Sequence, residues 1–193
     1  PPANPTVAVD GYSESLNFGR GTCDTCEDIA GTCFGPRVSA VEAITAPLEL
    51  VNDATGEATD GCEPFTGFTP GNIAWVDRGA CNFDLKAANA QQAGATGIVI
   101  GQNLGDDRLG QDGILNPACT DFCGLITIPV AFVSLNDNLA VQDLLAAGEV
   151  MGTIGAVEAD ALTTWANVWE NTTTTTDTDT TNDDWYEFTT VDF

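Results

Sequence analysis

Histidine is absent from this sequence of 193 residues, and basic residues are scarce. Lys and Arg together number 5 against 29 Asp and Glu, so the formal net charge is −24 at pH 7. The lack of histidine excludes Ser-His-Asp and Cys-His catalysis and HExxH zinc sites. A surface this acidic repels nucleic acid and anionic membranes, because counterion release cannot drive such binding. We therefore expect no nucleic-acid partner.

A long hydrophobic run is also missing from the chain. No apolar stretch reaches the roughly 18 residues that a membrane-spanning helix needs, so we expect no membrane insertion. Hydrophobic residues still make up 43% of the sequence, which is enough to build a core. The chain begins at Pro1 rather than at Met, as is typical of a secreted protein after removal of its signal peptide.

Cysteine is well represented and indicates an oxidising compartment. A zinc site made of thiolates alone would need two closely spaced pairs, and only Cys23 and Cys26 have the CxxC spacing. A redox-active CxxC is disfavoured because its flanking residues do not resemble a thioredoxin-like unit. Disulfides, and with them an extracellular location, are the favoured interpretation. The seven cysteines are Cys23, Cys26, Cys33, Cys62, Cys81, Cys119 and Cys123.

Composition divides the chain into three zones. Residues 1–37 form a Cys- and Gly-rich extension with one strand-like run at 6–9. Residues 38–157 have the pattern of a compact α/β domain. Residues 158–193 form an acidic, Thr-rich linker that ends in a strand-like segment.

Within the central zone, local signals predict a mixed sheet with helices packed on it. Asn82 is a suitable N-cap for the first helix, and Gly94 and Gly148 are suitable residues to end the two helices. A long polar loop is predicted at 102–127. Strands are predicted at 39–44, 48–51, 73–76, 97–101, 128–134 and 150–157, and helices at 82–93 and 137–147.

Several separated motifs in this zone resemble one protein family. A strand is followed by Arg-Gly-Ala-Cys-Asn-Phe at 78–83, by Lys86 on a helix, and by Ala-Gly-Ala at 93–95 before the next strand. Cys-Phe-Gly-Pro stands upstream at 33–36, and Ile-Pro-Val stands downstream at 128–130. Together these motifs resemble the protease-associated (PA) domain family, in the form found in secreted bacterial peptidases.

The resemblance covers roughly residues 38–157 and implies a fold. The expected fold class is α/β (α+β): a mixed β-sheet or open barrel flanked by two main helices, with extended strand-like segments at both termini.

The resemblance also bears on the disulfides. The family often bridges a pair placed like Cys62 and Cys81, which would tie the loop before a strand to the turn after it. Cys119 and Cys123 would then staple the long loop. The remaining cysteines would hold one bridge and one spare thiol in a pairing that the sequence leaves open; they are Cys23, Cys26 and Cys33.

PA domains are in general not catalysts, which implies that this chain is not an enzyme. They bind or position polypeptides, or gate a neighbouring active site. Arg78 then has two interpretations: it contacts a peptide carboxylate, or it holds loop carbonyls and fixes the turn. The second is favoured. Lys86 is expected to be solvated or to cover a strand with its aliphatic stem.

No cofactor is expected, and calcium is the metal most compatible with the composition. Aspartates cluster in the long loop and in the tail, but neither cluster has the spacing of an EF-hand. The sequence therefore permits calcium without defining a site for it. The clustered residues are Asp106, Asp107 and Asp112 in the loop, and Asp177, Asp179, Asp183 and Asp184 in the tail.

The tail carries signals for glycosylation. Asn171 begins an Asn-Thr-Thr sequon. The Thr-rich stretch suits O-glycans, and a plain flexible acidic linker is the alternative. The candidate threonines are Thr172, Thr173, Thr174, Thr175, Thr176, Thr178, Thr180 and Thr181.

Residues 185–193 alternate aromatic and β-favouring side chains, so we expect this segment to add a strand to a sheet edge. The edge would belong either to the same chain or to a neighbouring subunit.

Two functions are compatible with these features. The first hypothesis is a non-catalytic extracellular structural subunit that forms fibres with copies of itself by exchanging terminal strands, because a head-to-tail exchange need not close. The alternative is a polypeptide-binding accessory module of a secreted peptidase. A hydrolase that uses paired carboxylates is a remote third, since no acidic pair stands out.

Overall fold

The computed structural model describes residues 4–12, 16–21, 34–38, 41–103 and 110–157. These residues confirm the predicted mixed sheet flanked by two helices. The long loop adds a short 3-10 helix at Cys123–Leu125. The elements in chain order are β1 (Asn4–Val9), β2 (Phe18–Arg20), β3 (Ile44–Leu50), β4 (Ile73–Asp77), α1 (Phe83–Gln92), β5 (Gly97–Gly101), β6 (Val130–Val133), α2 (Leu135–Ala147) and β7 (Val150–Val157).

The strands follow the order β1-β7-β3-β4-β5-β6-β2 across one sheet. Strands β3, β4, β5 and β6 run parallel, whereas β7 is antiparallel to β1 and β3, and β2 is antiparallel to β6. The strand predicted at 6–9 is confirmed as β1, which lies on β7 of its own chain. Both edge strands therefore come from the Cys- and Gly-rich first zone, although the zone boundaries stay a prediction.

The prediction of separate strands at 39–44 and 48–51 is wrong. One strand, β3, continues through Pro47. The parallel ladder with β4 begins only at the Leu48–Ile73 pair, so the missing N–H of Pro47 does not interrupt that ladder. The strand predicted at 128–134 is shorter in the structure, since β6 covers only Val130–Val133.

Two hydrophobic cores lie on opposite faces of the sheet. Side chains alternate along a strand, so Trp75 of β4 points into the core that contains Val141 of α2. The neighbouring Val76 points into the other core, with Ala87 and Ala90 of α1. The two helices therefore cover opposite faces of the sheet.

The helix ends follow the sequence closely. Asn82 is the N-cap of α1, and Gly94 has a φ of +89° just beyond its C-terminus, a conformation that favours glycine. Helix α2 starts two residues before its predicted start because Ser134 caps it: the Ser134 Oγ accepts the Asp137 N–H at 3.1 Å. Among the described residues, neither helix has the length and apolar character that crossing a bilayer requires.

Candidate functional site

An open cleft lies where the parallel strands β4, β5 and β6 end. Their carboxyl ends meet at one edge of the sheet, which is where ligand sites of open α/β sheets usually form. The cleft has a volume of about 430 Å³, within the range of small-ligand sites. Its described lining residues are Glu57, Asp77, Asn103, Leu135, Asn138, Leu139 and Gln142.

Asp77, the last residue of β4, is held in one orientation by protein donors. Its Oδ1 accepts hydrogen bonds from Asn138 Nδ2 at 2.7 Å and from Gln142 Nε2 at 2.8 Å. Its Oδ2 accepts one from Thr59 Oγ1 at 2.6 Å. The half-buried carboxylate is therefore fixed at the cleft before any ligand arrives.

Asn138 connects this carboxylate to the core. Its side chain is buried, its Oδ1 accepts the Trp75 Nε1–H at 2.7 Å, and its Nδ2 also donates to the Gln102 carbonyl at 3.0 Å. Gly101 makes the arrangement fit, because a Cβ there would lie 2.0 Å from Asn138 Cγ. The indole of Trp75 is thus linked to Asp77 through one amide.

The rest of the cleft combines charge with apolar surface. Glu57 supplies a second carboxylate from an exposed position. Leu139 is 46% exposed and Leu135 lines the cleft from a buried position. Side by side, these groups form a surface that can contact both a charge and an aliphatic chain.

The contacts of Arg78 agree with the turn-fixing interpretation. Its Nη1 donates to Gln102 Oε1 at 3.0 Å, and its guanidinium carbon lies 6.0 Å from the centre of the Phe83 ring, within cation–π range. The Arg78 N–H donates to the Gly101 carbonyl at 2.7 Å, and the Asn103 amide donates to the Arg78 carbonyl. The guanidinium is not among the groups that line the cleft, and its contact with a peptide stays a prediction.

The expectation that Lys86 is solvated is wrong, whereas its alternative, that the aliphatic stem covers a strand, stays a prediction. The side chain is fully buried, and its ammonium donates to the Asp60 carbonyl and approaches Cys62 Sγ at 3.5 Å. Burial lowers the pKa of Lys86, and the nearby carboxylates of Asp60, Asp53, Asp77 and Glu63 only partly offset this effect. Lys86 is therefore a buried basic residue with four acidic residues near its ammonium group.

Three of these acids form a cluster that the sequence did not reveal. Oxygen atoms of Asp53, Asp60 and Glu63 lie within 4.8 Å of one another. The Cys62 N–H donates to Asp53 Oδ2 at 3.0 Å and to Asp60 Oδ1 at 2.9 Å, so the carboxylates cap a loop beside the Lys86 ammonium. In the sequence, these three acids could not be distinguished from the many other acidic residues of the chain.

The calcium expectation concerned other residues. Asp112 accepts a hydrogen bond from Asn136 Nδ2 at 2.5 Å. Asp106, Asp107 and the tail aspartates lie outside the described residues. Calcium binding stays a prediction.

Asp84, on the first turn of α1, is another buried charged residue that sequence reasoning missed. Its Oδ2 accepts the N–H groups of Thr120 at 3.1 Å, Asp121 at 2.5 Å and Phe122 at 2.8 Å. Burial acts to raise the pKa of Asp84, but the hydrogen bonds from Phe122, Asp121 and Thr120 outweigh it and lower that pKa. The carboxylate thereby anchors the long loop to the start of α1.

Two disulfides close this region, and both were expected. Cys62 is bridged to Cys81 and Cys119 to Cys123. The other predicted features lie outside the described residues: Cys23, Cys26 and Cys33, the glycosylation signals at 171–181, and the terminal strand at 185–193.

Comparison with known proteins identifies the domain. The family model of the PA domain matches residues 44–141. An aminopeptidase of Pseudomonas aeruginosa is 43% identical over 77 residues, which are 38% of this chain and 14% of that protein. Vacuolar-sorting receptor 2 of Arabidopsis thaliana is 39% identical over 75 residues, which are 38% of this chain and 12% of the receptor.

Solved structures show the same fold. The aminopeptidase from Aneurinibacillus sp. strain AM-1 matches with a TM-score of 0.53 and 21% identity, over 81% of this chain and 31% of that one. A zinc aminopeptidase from Bacillus subtilis matches with a TM-score of 0.53 and 20% identity, over 80% of this chain and 30% of that one. The chain thus spans less than a third of the length of each of these four proteins.

Proposed function

Because this chain belongs to the PA domain family, we propose that it is a non-catalytic, polypeptide-binding accessory module of a secreted peptidase. The observation that carries the proposal is the match of residues 44–141 to the PA domain, shared with aminopeptidases and a sorting receptor. The two disulfides support secretion, since such bonds persist in oxidising compartments.

The chemistry of the cleft supports binding rather than catalysis. Its described lining consists of two carboxylates, three amides and two leucines. Side-chain amides do not act as general acids or bases at neutral pH, and Asp77 already accepts hydrogen bonds from three side chains. Fixed acceptors beside apolar surface are suited to holding a polypeptide.

The fibre hypothesis is less well supported than the peptidase module. The relatives named above are aminopeptidases and a sorting receptor. The N-terminal strand pairs with β7 of its own chain. The terminal strand at 185–193, on which fibre formation also depends, lies outside the described residues, so strand exchange stays a prediction from sequence.

Peptide capture tests the proposal. The purified chain, immobilised, is incubated with a pool of random decapeptides, and the retained and released peptides are identified by mass spectrometry. We expect a reproducible subset to be enriched and none to be cleaved. Enrichment no greater than on an unrelated acidic protein would refute polypeptide binding, and cleavage would refute a non-catalytic role.

A further inference from the structure

We propose that the cleft at the ends of β4, β5 and β6 recognises a basic side chain, Lys or Arg, of the bound polypeptide. This inference rests on the proposed polypeptide-binding function and names the residue class that the cleft selects. It is carried by the placement of two carboxylates beside two leucines.

Charge is the first step of the argument. Asp77 and Glu57 both line the cleft, and none of the described residues in that lining is basic. The neighbouring Arg78 lies against Phe83 of α1 and donates to Gln102. Since the chain carries a net charge of −24, its field also attracts cationic groups towards such a cleft.

The geometry of Asp77 is the second step. A carboxylate offers about four lone-pair positions, and three of those of Asp77 accept hydrogen bonds from Asn138, Gln142 and Thr59. They fix the carboxylate while leaving it half-buried at the cleft. An ammonium or guanidinium group can therefore dock against an oriented charge, which is the arrangement that gives selectivity for a cation.

The apolar wall is the third step. Lys and Arg carry aliphatic stems that pack on hydrophobic surface while the charged end reaches a polar group. Leu135 and Leu139 provide that surface in the same cleft as the carboxylates. An acidic side chain would be repelled here, and a purely apolar one would bring no counter-charge to the exposed Glu57.

Matched peptides test the assignment. Fluorescently labelled decapeptides from the capture experiment are synthesised with Lys, Arg, norleucine or Glu at one position, and their dissociation constants are measured by fluorescence anisotropy. Norleucine keeps the aliphatic stem and removes the charge. We expect the Lys and Arg peptides to bind about tenfold or more tightly than the norleucine peptide.

Three variants localise the effect. Glu57→Gln removes an exposed carboxylate from the cleft, and Asp77→Asn removes the oriented one. Glu149→Gln removes an exposed carboxylate outside the cleft lining and serves as the matched control. We expect the preference for Lys over norleucine to fall in the first two variants and to persist in the third. Glu57→Gln keeps the test decisive if Asp77→Asn does not fold.

The outcomes separate the two proposals. Peptides that bind equally well with Lys, norleucine or Glu would overturn the basic-residue assignment and leave polypeptide binding intact. Equal losses in Glu57→Gln and Glu149→Gln would attribute the preference to overall charge and overturn the role of the cleft. Failure of every peptide to bind would overturn the proposed function itself.

Discussion

The indole N–H of Trp75 donates to the side-chain oxygen of Asn138 at 2.7 Å within the buried part of the sheet. Tryptophan comes from β4 and asparagine from α2, so this bond ties the helix to the sheet. The same asparagine donates to Asp77 at the cleft. A change at the cleft therefore reaches an aromatic side chain whose fluorescence can be measured.

The substitution Gly101→Ala is expected to break this link. A Cβ at Gly101 would lie 2.0 Å from Asn138 Cγ, so Asn138 must move away from Trp75. We expect a loss of about 1–3 kcal/mol in the free energy of unfolding, as for other overpacked cores, and a shift in Trp75 emission. Fluorescence is recorded with the other tryptophans, Trp165, Trp169 and Trp185, changed to Phe.

Gly124→Ala is the control for this prediction. A Cβ at Gly124 would have no other group within 4 Å among the described residues, so this change should leave stability and emission unaltered. If Gly101→Ala, like Gly124→Ala, changed neither the free energy of unfolding nor the Trp75 emission, the close packing of Asn138 against β5 would be disproved.

Asp84→Asn should destabilise the chain at neutral pH. The carboxylate accepts three backbone N–H groups through Oδ2, and its buried Oδ1 has no partner among the described residues. The amide of Asn removes the negative charge. If its NH2 group takes the position of Oδ1, its N–H groups have no acceptor among the described residues. We expect a loss of about 2 kcal/mol at pH 7, measured by urea denaturation.

The pH dependence of this loss has a defined sign. The folded state lowers the pKa of Asp84, so the stabilisation is fully present above the carboxyl's unfolded pKa and is lost as pH falls through the lowered value. The difference in the free energy of unfolding between the wild type and the Asp84→Asn variant should therefore become smaller below about pH 4. The control is Asp143→Asn, because Asp143 is exposed on α2. A difference in unfolding free energy between wild type and Asp84→Asn that stayed constant down to pH 2 would contradict the stabilising role of the Asp84 carboxylate.

The two disulfides should stabilise the chain unequally. They join residues 19 and 4 positions apart, and a longer closed loop removes more entropy from the unfolded chain. Replacing Cys62 and Cys81 by Ser should cost about 3 kcal/mol, and replacing Cys119 and Cys123 about 2 kcal/mol. Urea denaturation of the two double variants measures both. The reverse order would mean that native contacts of the long loop, rather than loop entropy, set the effect.

Lys86→Met is expected to destabilise the chain although it keeps the aliphatic stem. The buried ammonium is the cation that faces Asp60, Asp53, Asp77 and Glu63. Its removal leaves their charges uncompensated, at a cost of about 3 kcal/mol.

The exposed Gln92→Met on the same helix is the control for Lys86→Met. Equal stability of Lys86→Met and Gln92→Met in thermal denaturation would argue against a role for Lys86 as counter-charge.

Local signals in the sequence were sufficient for most of the elements. Strands β4, β5 and β7 are apolar runs between turn residues, and Asn82 and Gly94 mark the ends of α1. The Cys62–Cys81 disulfide followed from a family resemblance, and the Cys119–Cys123 disulfide from the position of both residues in the long loop. The exceptions are β2, which no sequence signal predicted, and β3, which is one strand through Pro47 where two strands were predicted.

The cleft could not be predicted in the same way. Glu57, Asp77 and Asn138 are far apart in the chain, and the parallel order of β4, β5 and β6 brings them together. An asparagine on a helix is usually exposed to solvent. No residue near Asn138 in the sequence indicates that its side chain accepts a hydrogen bond from the Trp75 indole. Lys86 is misleading for a similar reason, because only the fold shows that a loop covers its side chain.

A titration followed by two-dimensional ¹H–¹⁵N NMR tests the central claim most directly. The labelled chain is titrated with a Lys-containing decapeptide chosen by capture. We predict that the largest shifts occur at the side-chain amides of Asn103, Asn138 and Gln142 and at the Trp75 indole N–H. Shifts confined to other surfaces, such as the edge strand β1, would contradict the assignment of the cleft as the polypeptide-binding site.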